Sequence, residues 1–293
     1  MILKKKDLNL NDEIKKQKLI LEEFYSSVEN IDRACSTVIE NSIAIFLPHK
    51  RLDKTDTQKK FYENNQTLEI ESDLFEKVEI KGRLLGQQHK DILEVLLSNQ
   101  LIYDVEYRRF KVKLSAYSIL KRLKKSTTNK KWLLQKLNEI AECRIIIRFK
   151  DENNKSNGFN FSFINSILDS EQKVITINFT PEYTHFIAKN EMLDYRKYID
   201  DIIAIENDFV KAVVRYILIN NGKNSQISIS KLIEKLKYKH LVSTIDLQRD
   251  IRELKKEETQ KMLLEKFGIT LTNDKNTLTF NEIKGDRSKF RVK

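Results

Sequence analysis

The order of predicted helices and strands constrains the fold of this chain most, because one order occurs twice. Each copy is predicted to contain a helix, a short strand, a capped helix, a polar turn, a second helix and a β-hairpin. The first copy starts near Gln87 and the second near Glu206. Neither alternates strands with helices as a parallel sheet requires. The duplication therefore predicts two small α+β units of about 100 residues each.

Apolar periodicity and turn residues divide the first copy into elements. They are a helix at Asp91–Leu97, a strand at Tyr107–Leu114, a helix at Ser115–Leu123 capped by Ser115, a polar turn at Lys124–Thr128, a helix at Asn129–Glu142, and β-rich runs at Cys143–Phe149, Phe159–Ile167 and Lys173–Phe179. Trp132 is placed on the buried face of its helix. An Asn-Gly pair at Asn157–Gly158 predicts a hairpin turn before the second run.

The second copy has the same elements after Pro181. They are a strongly apolar helix at Glu206–Asn220, a strand at Gln226–Ile229, a capped helix at Ser230–Lys237, a polar turn at Tyr238–Thr244, a helix at Ile245–Lys255, and hairpin strands at Ile269–Thr272 and Thr277–Phe280. The last helix either extends or is followed by another through Phe267, and Gly268 ends it.

A helix-turn-helix followed by a hairpin is the arrangement of a winged helix. The predicted fold is therefore α+β, with tandem winged-helix domains at residues 71–190 and 191–293. Apolar residues at helical spacing predict a helix over residues 10–45, and residues 48–66 are polar and predict a loop or a partly disordered segment. Residues 1–70 are thus expected to form a helical N-terminal extension and a polar loop.

Positive charge is concentrated in the first copy. The chain has 54 Lys and Arg against 43 Asp and Glu, a net charge of +11. Residues 107–148 hold thirteen basic residues and two acidic ones, so this stretch accounts for the whole excess. A solvated lysine-rich face is the plain alternative, but such localisation favours a surface that contacts phosphates.

The sequence offers little for catalysis. No P-loop motif is present, the four histidines stand apart, and two cysteines cannot form a four-ligand zinc site. Tyr195 and Tyr198 could act as the nucleophile of a nicking enzyme, but no metal-binding histidine pair accompanies them. We therefore expect no enzymatic activity, no cofactor and no metal. The lack of a signal peptide or a long apolar run predicts a cytoplasmic chain without a membrane partner.

In a helix-turn-helix the second helix lies in the major groove, and its N-terminal polar residues face the bases. In the first copy these residues carry hydroxyl, ammonium and amide groups, which suit contacts to phosphates and to adenine. The candidates are Lys124, Lys125, Ser126, Thr127, Thr128, Asn129, Lys130, Lys131 and Gln135.

In the second copy, Leu247, Ile251 and Leu254 share one face of the corresponding helix. The polar residues elsewhere on this helix include arginines, which can make the bidentate contact that specifies guanine. The candidates are Thr244, Gln248, Arg249, Arg252 and Lys255. Any solvated helix has such a face, and seven bases meet six acids over residues 239–266, so this site depends on pattern alone.

Four stretches of the chain resemble plasmid replication initiators of the TrfA-like kind, which have two winged helices. They are Ser72–Leu97, Phe110–Phe149, Val174–Ile187 and Phe209–Gly268. The resemblance is one of apolar and polar positions rather than of invariant signatures. The resemblance places the helices at Thr128–Gln135 and Thr244–Lys255 in the grooves of DNA. It implies no fold or role for residues 1–70.

The resemblance implies binding of repeated origin sites, called iterons, in double-stranded DNA. It further implies melting of an A·T-rich element and recruitment of the host helicase, with DnaA assisting and without nicking. Homodimers that convert to DNA-binding monomers are also implied, with the strands at Cys143–Phe149 and Phe159–Ile167 as an edge for association. A winged-helix transcriptional regulator or plasmid partition protein remains the alternative, since DNA binding precedes all of these functions.

Overall fold

The structure is a computed structural model that describes residues 35–48, 56–72, 75–150, 156–169, 174–190, 192–220, 226–280 and 291–292. Helices and small sheets mix along the chain, so the α+β class is as predicted. The helices are α1 (Val38–Ser42), α2 (Asp56–Glu63), α3 (Gln87–Leu97), α4 (Ala116–Arg122), α5 (Lys130–Glu142), α6 (Pro181–Lys189), α7 (Arg196–Ala204), α8 (Asp208–Asn220), α9 (Ile229–Lys235), α10 (Thr244–Lys255) and α11 (Glu257–Phe267).

The strands are mostly short and antiparallel. They are β1 (Ser36–Thr37), β2 (Phe46–Leu47), β3 (Thr67–Ile70), β4 (Lys77–Lys81), β5 (Leu85–Gly86), β6 (Ile102–Asp104), β7 (Arg109–Ser115), β8 (Arg144–Lys150), β9 (Ser156–Ser162), β10 (Ile164–Asp169), β11 (Val174–Phe179), β12 (Met192–Leu193), β13 (Gln226–Ser228), β14 (Ile269–Leu271), β15 (Thr277–Phe280) and β16 (Arg291–Val292).

Two four-stranded sheets form the first half of the molecule, in the orders β10-β11-β7-β6 and β3-β4-β8-β9. Strand β7, which precedes α4, pairs with β11 from Ser115 opposite Val174 to Lys111 opposite Asn178. The hairpin of β10 and β11 is thereby joined to the strand that leads into α4. Helix α5 packs against β10, so its buried face is fixed on this sheet.

The turn predicted at Asn157–Gly158 is wrong, because both residues lie inside β9, where Gly158 pairs with Arg148 of β8. A Cβ atom on Gly158 would lie 2.2 Å from the carbonyl oxygen of Ile147. Glycine is therefore required here by the close approach of two backbones rather than by a turn.

The β-rich run predicted at Phe159–Ile167 is divided between two sheets. Strand β9 ends at Ser162 and β10 begins at Ile164, and the strands belong to different sheets. Between them Phe163 is fully buried, with its ring centre 4.9 Å from that of Tyr183. An apolar run does not show where a chain changes sheets, so the sequence pattern missed this break.

In the second half, β13, β15 and β14 form a sheet in that order. Ser228 caps α9 and accepts a hydrogen bond from the backbone N–H of Lys231 at 3.2 Å. The region after α10 is a second helix, α11, because Lys256 between them has an extended backbone, with φ −61° and ψ 141°. Gly268 ends α11 in the left-handed region, with φ 63°, as predicted.

The described part of the N-terminal segment packs against the rest of the molecule. Strand β1 pairs with β12, and β2 pairs in parallel with β5. The helix predicted over residues 10–45 falls mostly on residues 1–34, outside the described residues, and in the remainder only α1 is helical. The limit predicted at residue 70 passes between β3 and β4, which pair from Thr67 opposite Lys81.

The loop predicted at residues 48–66 is wrong for Asp56–Glu63, which forms α2. Phe61 is 1% exposed and anchors this polar helix to the core. One buried aromatic side chain thus outweighs a composition that is typical of a loop. Within the described part of the chain, no helix combines the length and the apolar character needed to cross a bilayer.

Candidate nucleic-acid interface

The turn between α4 and α5 presents six consecutive exposed residues, Lys124–Asn129. Ser115 caps α4 by accepting a hydrogen bond from the backbone N–H of Ser118 at 3.0 Å, as predicted. Leu123 is buried, and Lys124 then reverses the chain with a left-handed φ of 54°. Because Leu123 anchors the turn in the core, the residues that follow it lie in solvent. We call residues 124–131 the lysine turn.

Three lysines in and beside this turn keep their positive charge unneutralised within the described structure. Lys121, Lys124 and Lys131 are exposed and make no ion pair with any residue that the structure describes. The Lys125 ammonium lies 5.7 Å from the centre of the Trp132 ring, and Trp132 is half-buried against the core. Ammonium groups held in solvent without carboxylate partners are what phosphate contacts require.

The polar candidates of the first copy differ in their freedom to bind. The hydroxyl oxygens of Ser126 and Thr128 lie 2.8 Å apart and share a hydrogen bond, while Thr127 and Asn129 are exposed. Helix α5 begins at Lys130, one residue later than predicted, and Asn129 makes no capping bond with its side chain. The side-chain amide of Asn129 is therefore not used to cap α5.

Gln135 is exposed, but its amide donates to Glu139 at 3.1 Å. The Glu139 carboxylate also lies 2.7 Å from His89 Nε2, accepts from Lys136 at 2.7 Å, and lies 3.2 Å from Arg83. Burial raises the pKa of Glu139, but the hydrogen bonds with His89 and Lys136 outweigh it and lower this pKa well below its usual value. A contact of Gln135 with adenine therefore requires breaking a bond to a charged carboxylate.

Helix α10 buries the apolar face that was predicted for it, with Leu254 fully buried and Leu247 half-buried. The same face carries Asp250, which is 4% exposed and which the sequence analysis did not place there. Its carboxylate accepts hydrogen bonds from the Tyr238 hydroxyl and from the Asn207 amide, the latter at 2.9 Å. Burial and then the bond to Asp250 raise the pKa of Tyr238. Asp250 lies three residues after Leu247 and four before Leu254, and this helical spacing alone would have placed it on the buried face.

The two arginines of α10 differ in their ionic partners. Arg249 lies 2.7 Å from Asp246 and 3.6 Å from Asp250, so carboxylates already neutralise its guanidinium. Arg252 is exposed and makes no ion pair among the described residues; its Nε lies 3.4 Å from the carbonyl oxygen of Gln248. Arg252 is therefore the better donor for a base, since nothing charged has to be displaced.

The remaining candidates of α10 occupy its start, its exposed face and its end. Thr244 follows the cap Ser243 and is exposed, as is Gln248. Lys255 is half-buried, and its ammonium donates to the Asn276 side chain at 3.2 Å. Asn276 lies in the loop between β14 and β15, so Lys255 connects the helix to the hairpin.

The tyrosines considered as nucleophiles are inside the protein. Tyr195 is 1% exposed and donates a hydrogen bond to Glu94; burial and then the charge of Glu94 raise its pKa. Tyr198 is 9% exposed. A DNA phosphate does not reach the Tyr195 hydroxyl in this arrangement. Among the described residues, no group of three or more His, Cys, Asp or Glu side chains is placed to hold a metal ion.

Comparison of the sequence with models of protein families and with curated proteins gives no match. The resemblance to plasmid initiators therefore remains one of residue patterns, and the chemistry of the surface carries the functional argument.

Proposed function

We propose that this chain is a sequence-specific DNA-binding initiator of theta-type plasmid replication. It binds repeated origin sites through two winged-helix units, promotes melting of the origin and recruits the host helicase. The sheet orders support the two units, since β7 joins the hairpin of β10 and β11, and β13 joins the hairpin of β14 and β15 in the same way. In each unit a capped helix, a turn and a second helix precede the last strand pair.

The observation that carries the proposal is the lysine turn. It lies at the start of the helix that a helix-turn-helix places in the major groove. Lys124, Lys125 and Lys131 are exposed, and Lys124 and Lys131 have no carboxylate partner among the described residues. The first unit therefore supplies most of the attraction to the DNA backbone, which does not depend on sequence.

The second unit supplies contacts to bases. Arg252 is exposed on α10 without an acidic partner in the described structure, and its guanidinium matches the O6 and N7 atoms of guanine. The neighbouring Arg249 is held by Asp246, so its contribution is smaller. The two units thus divide the work between holding the duplex and recognising its sequence.

Salt titration tests DNA binding directly. The wild-type protein is titrated onto a duplex that carries the direct repeats flanking its own gene and onto a random duplex of equal length. We expect tighter binding to the repeats and a steep decrease of log K with log salt concentration. A flat salt dependence, or equal affinity for the random duplex, contradicts the proposal.

A replication assay separates an initiator from a regulator or partition protein. A plasmid that carries this gene and its flanking repeats is expected to replicate autonomously. Substitution of Lys130 and Lys131 by alanine should abolish replication, while the matched pair Lys59 and Lys60, two adjacent exposed lysines on α2, should be dispensable. Specific binding without replication would favour the regulator.

A further inference from the structure

The interface between α3 and α8 is charged. These are the first helices of the two repeated units, and they pack against each other. On α3, Gln87, Asp91 and Glu94 lie four and three residues apart and share a face; on α8, Lys211 and Arg215 lie four residues apart. All five residues are at most 5% exposed. We call these five residues the charged layer.

Arg215 is the centre of the charged layer. Its Nη2 lies 2.7 Å from Asp91 and 2.6 Å from Glu94, its Nε donates to Glu94 at 2.9 Å, and its Nη1 donates to Gln87 at 2.6 Å. The Lys211 ammonium pairs with the other oxygen of Asp91. Two cations thus meet two anions, and the layer is neutral as a whole.

A second buried pair lies beside the charged layer on α3. Lys90 is 1% exposed and lies 3.3 Å from Glu40, which follows β1 in α1. Glu40 also accepts from the Tyr183 hydroxyl of α6 at 2.7 Å. Helix α3 is therefore held to α1 by one ion pair and to α8 by the charged layer.

Buried ion pairs determine the register between two helices more strictly than apolar contacts do. Apolar side chains pack in several registers because one methyl group can replace another. A shift of α8 against α3 would instead leave Asp91, Glu94 and Arg215 without partners in a medium of low dielectric constant, which is costly. Fixing a register is the best-attested use of such groups.

We propose that the charged layer is a lock that holds the two DNA-binding units in one orientation and thereby fixes the spacing of the two half-sites they bind. This inference rests on the proposed function, because spacing matters only if both units bind one duplex. Arg215 and Asp91 are then positioning residues, buried away from DNA, that determine which spacing is accepted.

A distance measurement without DNA tests the lock by itself. Spin labels are placed at Tyr117→Cys on α4 and Leu264→Cys on α11, positions that are 57% and 48% exposed, while Cys35 and Cys143 are buried. The wild-type background should give one narrow distance distribution. The variant Asp91→Leu, Glu94→Gln, Lys211→Leu, Arg215→Met keeps the interface filled and should broaden that distribution.

Two outcomes overturn the lock. One is a folded apolar variant whose distribution is as narrow as that of the wild type. If this variant does not fold, Arg215→Lys is measured instead; it keeps the charge but loses the fork of donors, and an unchanged width there also overturns the lock.

Spacing experiments on DNA separate the lock from the proposed function. The probe is a duplex selected by the wild-type protein from a random library, with about 5 bp, half a helical turn, inserted between the two protected segments. The wild type should bind this duplex roughly 100-fold more weakly than the duplex without the insertion. The affinity of Arg215→Lys should fall by a smaller factor. Failure to select any duplex contradicts DNA binding, while a selected duplex that tolerates the insertion contradicts only the lock.

Discussion

The lysine turn, which leads into α5, and helix α10 belong to the two proposed units, but their electrostatics differ. The lysine turn follows a buried leucine and exposes several ammonium groups without nearby carboxylates. On α10, Asp246 neutralises Arg249, and Asp250 is buried under the helix. Similar orders of elements can therefore produce an exposed cationic surface in one proposed unit and a helix whose Arg252 lacks an acidic partner among the described residues in the other.

The largest effect is expected from the lysine turn. Substitution of Lys130 and Lys131 by alanine removes two positive charges from the surface that we propose contacts phosphates. Affinity for every duplex should fall on the order of 100-fold at low salt, and the slope of log K against log salt concentration should decrease in magnitude by about 2. Fluorescence anisotropy at several salt concentrations measures both quantities.

The matched control for that variant is Lys59→Ala with Lys60→Ala on α2, which removes the same charge from a helix that carries none of the proposed contacts. Its slope should equal that of the wild type. Equal losses in both variants would mean that net charge, rather than the lysine turn, is responsible for binding.

Arg252→Ala should act on sequence preference instead. We expect a loss of about 1–3 kcal/mol of discrimination at one base pair, because the bidentate contact to guanine is gone. The salt slope should change by less than about 1. Binding to a set of duplexes with single base changes gives the measurement, and a uniform loss across the set would remove the distinction between the two units.

The buried carboxylate under α10 should matter for stability. Asp250→Ala leaves the buried Tyr238 hydroxyl and the half-buried Asn207 amide without their partner, at a cost of about 1–3 kcal/mol. Urea unfolding measures this change. Asp246→Ala, one turn earlier on the same helix and half-buried, is the control and should cost less than about 1 kcal/mol.

The smallest effects are expected from Arg249 and Gln135, whose side chains already have partners in the protein. Alanine at either position should change the free energy of DNA binding by less than about 0.5 kcal/mol. In the wild type, a DNA contact from either side chain first requires loss of its bond to Asp246 or Glu139, so the contact adds little affinity. A strong effect of Arg249→Ala in the binding assay would show that DNA displaces Asp246.

Local patterns predicted the helices of the second unit well. Apolar spacing placed Leu254 in the core, and Gly268 marked the end of α11, because both depend on residues close in sequence. The exposure of the lysine turn also followed from composition, since six polar residues in a row have little to bury. Sites that depend on local chemistry are the ones that a sequence shows.

Contacts between distant residues could not be predicted in the same way. Gly158 has its role because Ile147 of the neighbouring strand passes close to it, and no turn pattern contains that information. The sequence of α8 is strongly apolar, and nothing in it indicates that Arg215 pairs with Asp91, which lies 124 residues earlier in the chain. A charge within an apolar helix indicates burial of a partner, but only the fold identifies the partner.

Affinity cleavage tests most directly whether both units bind one duplex. Iron chelates are attached at Asn138→Cys on α5 and at Ile245→Cys on α10, two exposed positions outside the proposed contacts. On the repeats that flank the gene, we expect the two chelates to cut at separate positions about one helical turn apart. Cleavage from only one of the two positions would contradict the account of two DNA-binding units.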